Sequence, residues 1–364
     1  MTGIANIEDW ALGYTKPFLI AGPCSAENER QILETAEALA KDGRVSLFRC
    51  GLWKPRTRPG NFEGVGKRGL LWLKHVHSET GLNTCVEVAT KEHVKLCLDA
   101  GIHAVWIGAR TTVNPFSIQE LTESLVGSDI PVFVKNPVHP DIELWIGVIE
   151  RLLKEGINKV VAIHRGFHVM NRAPFRNAPL WEIPIELKRR YPDLPVICDP
   201  SHISGKKSLI SQVCQQALDL DMNGLMIETH IHPEKALTDK RQQISPDELS
   251  SLLDSLVFKS AHCNSQSQDV LARLRSEIDV LDATMLETLA RRMEVVREIG
   301  EYKAGHNITI LQIRRWIEII TDRIASGEQS GLDREFIHNL LQLVHKESIR
   351  VQSEILQNKS RKIE

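Results

Sequence analysis

PFLIAGPCSAENERQILETAEALAKDGRVSLFRC, residues 17–50, decides the fold. PFLIAGPC is an apolar run suited to a strand. ENERQILETAEALAKDG (27–43) then carries its apolar residues at helical spacing and closes on Gly43, a residue fit to stop a helix. SLFRC (46–50) is a second strand-like run. The same alternation continues outward through NTCVEVA, AVWIGA, PVFVKN, KVVAIHRG, PVICDPSH and GLMIETH, which makes eight strand candidates. Segments such as KEHVKLCLDAG (91–101) and DIELWIGVIERLLKEG (141–156) supply the helices between them. Strand and helix alternating eight times over about 240 residues predict an α/β fold, a (β/α)8 TIM barrel. A doubly wound open sheet gains no support, because there is no GxGxxG fingerprint and GVGKRG (64–69) has neither the spacing of a phosphate loop nor a hydroxyl residue after its lysine.

After Leu256 the pattern lapses into FKSAHCNSQSQD (258–269), a polar run suited to a linker. The expected division is a barrel over 1–257, a linker over 258–268 and an all-α domain over 269–364. In that domain Leu271, Leu274, Ile278, Leu281, Met285 and Leu289 repeat at three and four. Two further helices are expected over 310–325 and 333–357, separated by SGEQSGL. Three helices in about 95 residues make a thin core, so this domain is expected to form a homodimer.

A length of 364 residues with 42% hydrophobic content suits one large domain and one small one. A net charge of −2 argues against a nucleic-acid partner or a membrane-seeking face. Seven cysteines without CxxC pairing and no apolar leader point to the cytoplasm. No run reaches the roughly 18 apolar residues of a membrane span.

Barrel enzymes place their reactive groups at the carboxyl ends of strands. Arg49, Lys54, Arg56, Arg110, Lys135 and Arg165 all fall there. Any one could be a solvated surface charge, but a nearly neutral chain that directs six cations to one rim is built to hold small phosphate or carboxylate anions. Cys24, His202, Glu228 and Asp239 fall at the same rim. Singly, Cys24 reads as a buried small hydrophobe and His202 as a structural histidine. Together a thiolate, an imidazole and two carboxylates suit a divalent first-row ion, manganese ranked first and iron, cobalt or zinc after it. Cys50, Cys85, Cys97, Cys198, Cys214 and Cys263 read as core or surface thiols, and His164 and His168, flanking Arg165, as supporting or catalytic.

GPCS (22–25), RCGLWKPRT (49–57), IGART (107–111), VKNP (134–137), HRGF (164–167), DPSH (199–202), IETH (227–230) and LTDKRQQ (237–243) resemble, in order, the barrel of 3-deoxy-D-arabino-heptulosonate 7-phosphate (DAHP) synthases. The resemblance implies metal-dependent condensation of phosphoenolpyruvate with erythrose 4-phosphate. Carried over by position, Arg110, Lys135 and Arg165 would hold the phosphoenolpyruvate phosphate, Arg49 and Lys54 its carboxylate, and Arg56 and Thr57 the erythrose phosphate. Lys54 would also be catalytic. A sister barrel that uses arabinose 5-phosphate ranks lower, because the Lys54-Pro55-Arg56-Thr57 run is similar to the erythrose-using enzymes.

LRSEIDVLD (274–282), LARRMEVVREIGEYK (289–303), LQIRRW (311–316) and KESIRVQ (346–352) resemble the all-helical chorismate mutases, which turn chorismate into prephenate. By position the resemblance implies Arg275, Arg292, Lys303, Arg315, Ser348 and Gln352 as substrate-binding residues, with Arg292, Lys303 and Gln352 catalytic. Many relatives carry acidic residues where this chain has Gln312 and Trp316. Helix geometry gives an independent check: Arg292 and Lys303 lie about three turns and 16 Å apart on one face. Arg275 lies about 25 Å from Arg292 and rotated by about 100°, so it would serve a partner's site. A tail that mainly senses chorismate or prephenate and regulates the barrel is the alternative. The barrel starts after only sixteen residues, which leaves the tail as the expected feedback sensor.

Overall fold

The computed structural model describes residues 3–10, 12–13, 15–54, 60–258, 265–306, 308–311 and 313–360, with the backbone alone at 265–268, 313, 315 and 359–360. The chain divides into two compact units, Met1–Ala261 and His262–Glu364.

In the first unit the elements run β1 (Phe18–Gly22), α1 (Glu29–Asp42), β2 (Leu47–Cys50), α2 (Arg68–Thr80), β3 (Thr84–Val88), α3 (Lys91–Asp99), β4 (Ala104–Ile107), α4 (Ala109–Thr112), α5 (Pro115–Leu125) and β5 (Val132–Lys135). They continue with α6 (Ile142–Lys154), β6 (Val160–His164), α7 (Glu182–Arg190), β7 (Val196–Cys198), α8 (Pro200–Ser204), α9 (Ile210–Asp219), β8 (Gly224–Glu228) and α10 (Pro246–Ser255). The strands form a closed parallel barrel in sequence order, sealed where Phe18 pairs with Gly224 and Gly22 with Glu228. Helix α1 starts where the Asn28 side chain accepts from the Gln31 amide and ends at Gly43 in the left-handed region, as its sequence requires.

Alternation along the strands makes two cores. Leu19 and Ala21 face the helical ring, whereas Phe18 and Ile20 join Trp106, Phe133, Ile163 and Met226 inside the barrel. Ile7, Trp10 and Leu12 belong to the interior cluster, and the Trp10 ring meets Phe133 edge-on at 6.4 Å. The residues before β1 therefore plug the amino end of the barrel. Chemistry is left to the other mouth.

The second unit is helical: α11 (Ser265–Gly305), α12 (Ile313–Gln329) and α13 (Arg334–Ser360). Two sequence expectations need correcting. Helix α11 begins at Ser265, inside the stretch expected to be linker, because 265–268 contain no glycine or proline to stop it. Residues 259–264, the rest of that linker, lie outside the described residues. Helix α12 runs through Gly327, expected as a break: a Cβ there would lie 2.6 Å from Ile337 Cδ1, so this glycine admits α13 to close approach. The reversal falls instead at Gly331, at φ +83°.

Candidate functional site

The carboxyl mouth of the barrel gathers two sets of side chains. Cys24, just past β1, Glu228, the last residue of β8, and Asp239 bring ligand atoms within 4.8 Å of one another. Asp239 sits at φ +45°, a sparsely populated conformation for a non-glycine residue. His202, in α8, joins through its Nε2, 3.8 Å from Glu228 Oε1. Its Nδ1 is 2.8 Å from Asp199 Oδ2, which fixes the ring and leaves Nε2 facing the cluster.

The surroundings of this cluster are equally definite. Lys54 Nζ donates to Cys24 Sγ at 3.2 Å, and the thiol donates to Asp239 Oδ2 at 3.5 Å. Burial first, then Glu228, pushes the Cys24 thiol up to about 12. Burial works against the Glu228 carboxylate, but His202 and then Arg49 outweigh it and lower its proton affinity. Asp239 is likewise held at about 2, Arg176 and His202 overcoming its burial. Glu228 Oε1 is sealed from solvent without a hydrogen-bond partner among the described residues. Two ionised carboxylates, one of them with an oxygen that accepts no hydrogen bond among the described residues, an oriented imidazole and a thiol are a donor set that fits a divalent ion.

Beside this set lies a cavity of about 110 Å³ whose walls include Lys54, Arg110, Lys135 and Arg165. Arg49 is fully buried beneath them, its guanidinium 3.2 Å from Glu228 Oε1 and 5.0 Å above the Trp106 ring. Lys135 Nζ donates to Asp199 Oδ2 at 2.7 Å. Arg165 is positioned by its amide, which donates to Asn136 Oδ1 at 2.6 Å, and burial lowers its guanidinium to about 10. Arg56 and Thr57 lie outside the described residues. His164 is buried between Phe167 and Trp181, whereas His168 is exposed.

Strand-end counting does not single out Asp199 and Arg176. Arg176, in the loop after β6, donates to Asp239 Oδ1 at 3.1 Å and to Gln242 Oε1 at 2.6 Å. Gln242 Nε2 donates to Glu228 Oε2 at 2.7 Å, so one relay orients two carboxylates of the cluster. In the sequence, Asp199 stands in the DPSH run and Gln242 in the LTDKRQQ run, whereas Arg176 falls in none of the quoted runs.

In the helical unit, Arg292 Nη1 donates to Ser348 Oγ at 2.7 Å, and Gln352 is buried on the same side of α13. Gly300 lets the helices close here, since a Cβ on it would lie 3.3 Å from Gln352 Cγ. Lys303 Nζ donates to the Ile310 carbonyl at 2.7 Å, which ties it to the turn after α11. Arg275 is exposed, seventeen residues back along the same unbroken helix. Arg315 lies in α12, but its side chain and Gln312 are outside the described residues.

A closed (β/α)8 barrel whose mouth joins a cation-walled cavity to a thiol, imidazole and carboxylate cluster defines an enzyme that handles small anions. Residues 3–263 match the model of the DAHP synthetase I family, and this chain belongs to that family. Residues 274–353 match chorismate mutase type II, so the chain joins the two activities of a bifunctional shikimate-pathway enzyme. It is 29% identical to the phospho-2-dehydro-3-deoxyheptonate aldolase of Thermotoga maritima over 264 residues, covering 70% of this chain and 75% of that one. A crystal structure of DAHP synthase from Thermotoga maritima superposes with a TM-score of 0.62 at 28% identity, over 69% of this chain and 71% of that one. The tail is 35% identical to the 4-amino-4-deoxychorismate mutase of Streptomyces venezuelae over 94 residues, 26% of this chain and 90% of that one. The DAHP synthase family generally depends on a divalent metal. No described helix is long and apolar enough to cross a membrane.

Proposed function

We propose that the barrel mouth takes phosphoenolpyruvate with its phosphate toward Arg110, Lys135 and Arg165 and its carboxylate toward Arg49 and Lys54. Erythrose 4-phosphate then enters above it with its phosphate toward Arg56 and Thr57. One observation carries this reading: the cation-walled cavity borders the Cys24, Glu228 and Asp239 cluster. Arg49 and Lys135 already face Glu228 and Asp199, so the ligand's charge falls chiefly to Arg110 and Arg165, which have no carboxylate partner among the described residues. Cations fixed before the reaction stabilise moving charge without reorganising.

Cys24, His202, Glu228 and Asp239 would hold the divalent ion, manganese ranked first. When bound, such an ion supplies Lewis acidity at the aldehyde. In the condensation C3 of the enol attacks the aldehyde carbon, water adds at C2 and phosphate leaves. Lys54, tethered to Cys24 Sγ, stands where it can both donate to the substrate carboxylate and neutralise the thiolate.

The tail would bind chorismate, which the matched mutase model favours over the 4-amino analogue named for the Streptomyces venezuelae relative. Arg275 of a second chain, Arg292 and Arg315 would take its two carboxylates, and Lys303 and Gln352 would donate to the breaking ether oxygen. Lys303 must then leave the Ile310 carbonyl. A homodimer is favoured by the amino half of α11, where Leu274, Ile278, Leu281 and Met285 form one exposed apolar stripe. Six described cysteines are all free, which favours the reducing cytoplasm.

A paired assay of both reactions on one purified chain, before and after chelation, tests the assignment. Synthase activity is expected to vanish while mutase activity persists. Synthase turnover that survives complete metal removal, or that occurs only with arabinose 5-phosphate, would refute the barrel reading. The tail is also proposed to report prephenate to the barrel. Prephenate that binds the tail of the intact chain without changing synthase activity would refute that.

A further inference from the structure

One polar side chain of the helical unit has no place in these roles. His345, Ser348 and Gln352 stand three and seven residues apart on α13 and so share a face. Ser348 accepts from Arg292, which ties this face to the carboxylate-binding arginine. Among the described residues, His345 Nε2 and Gln352 Oε1 are both sealed from solvent and have no hydrogen-bond partner. The Trp316 ring lies on the imidazole, centroids 3.6 Å apart and planes 13° from parallel. That stacking fixes the plane in which the ring nitrogens point. Burial first, then Arg292, lowers the proton affinity of His345, so its ring is neutral near neutral pH and offers one donor and one acceptor.

Chorismate presents two carboxylates, an ether oxygen and one ring hydroxyl. The cations match the carboxylates, and Lys303 and Gln352 match the ether. What remains is an uncharged group that donates and accepts, and a neutral imidazole complements it. Polar atoms sealed without partners are costly unless a ligand completes them. We infer that His345, held flat against Trp316, reads the ring hydroxyl of the tail's substrate and is its specificity-determining residue. This rests on the mutase reading proposed above.

The test uses the intact chain and two substrates, chorismate and the analogue in which hydrogen replaces the ring hydroxyl. His345→Phe keeps a ring to stack on Trp316 but removes both nitrogens. It is expected to lower kcat/KM about tenfold on chorismate and no more than about twofold on the analogue, the loss of one hydrogen bond. His345→Gln, whose amide donates and accepts, is expected to recover most of the chorismate activity. A structural role would depress both substrates alike, so equal losses overturn the inference and leave the mutase reading standing. Absence of wild-type turnover overturns that reading, and this inference with it.

Discussion

His164 is a charge that the barrel refuses to carry. It ends β6, is fully buried, and has its ring 5.0 Å from Trp181 and 5.7 Å from Phe167. Burial first, and then Arg165, hold its proton affinity down to about 3, against the pull of the Pro179 carbonyl and Asp199. In the unfolded chain the same imidazole protonates near 6.5. Between those values the unfolded state carries a proton that the folded state rejects. Stability is therefore intact above about pH 6.5 and falls as pH drops toward 3. Well inside that window each pH unit costs about 1.4 kcal/mol, so acidification from about pH 7.5 to about 4.5 should remove about 2.7 kcal/mol through this group alone.

His164→Phe replaces the imidazole with a ring that cannot titrate, in a pocket already lined by rings. Its cost near neutral pH should stay below about 1.5 kcal/mol. Urea unfolding at about pH 7.5 and about pH 4.5, followed by tryptophan fluorescence, measures the difference. Six of the seven tryptophans lie in the barrel unit, so the signal reports it. Other groups titrate in both proteins and cancel in the comparison. The variant should lose about 2–3 kcal/mol less than wild type between the two conditions. Equal acid losses would refute the account, since the neutral burial of His164 would then not govern acid stability.

Two further outcomes follow from the site. Cys24→Ser should weaken divalent-metal uptake by more than about 100-fold, measured by elemental analysis after dialysis, and abolish synthase activity while mutase turnover is unchanged; full metal content in the variant would count against Cys24 as a ligand. Arg275→Ala and Arg292→Ala should each abolish mutase turnover, yet an equal mixture reassembled from unfolded chains should regain about one quarter of wild-type activity, because half the dimers are mixed and each holds one intact site. No recovery would mean that Arg275 serves its own chain or none.

The barrel was legible because strand-like and helix-like runs alternate eight times, and several strand runs close on a polar or charged residue that a parallel strand could deliver to one mouth. PFLIAGPC and GLMIETH are an example: they are about two hundred residues apart in the sequence, yet Gly22 pairs with Glu228 and brings Cys24 to the carboxylate. The helix ends of the tail were less legible. A glycine that stops a helix and a glycine that admits a neighbour look alike in sequence, and Gly327 proved to be the second kind. The pairing of the cations was invisible for a related reason. Position at a strand end says that a side chain reaches the mouth, not which neighbour it meets there.

Asp199 shows what that omission concealed. Counted by residue type, the mouth is a ring of cations beside a cluster of metal-ligand residue types, two separate sets that happen to adjoin. Asp199 makes them one. Its carboxylate accepts from Lys135 on the anion side and orients His202 on the other, and it stays ionised because His202 and Lys135 together overcome complete burial. Arg49 does the same from below, set against Glu228 and over Trp106. Each pair shares its charge across the boundary, so an anion that draws on Lys135 or Arg49 must also alter the field felt by His202 or Glu228. With the anion in the cavity and the divalent ion on the cluster, as proposed, the two binding events would be coupled through two buried ion pairs, an arrangement suited to a reaction that needs both ligands present before it begins.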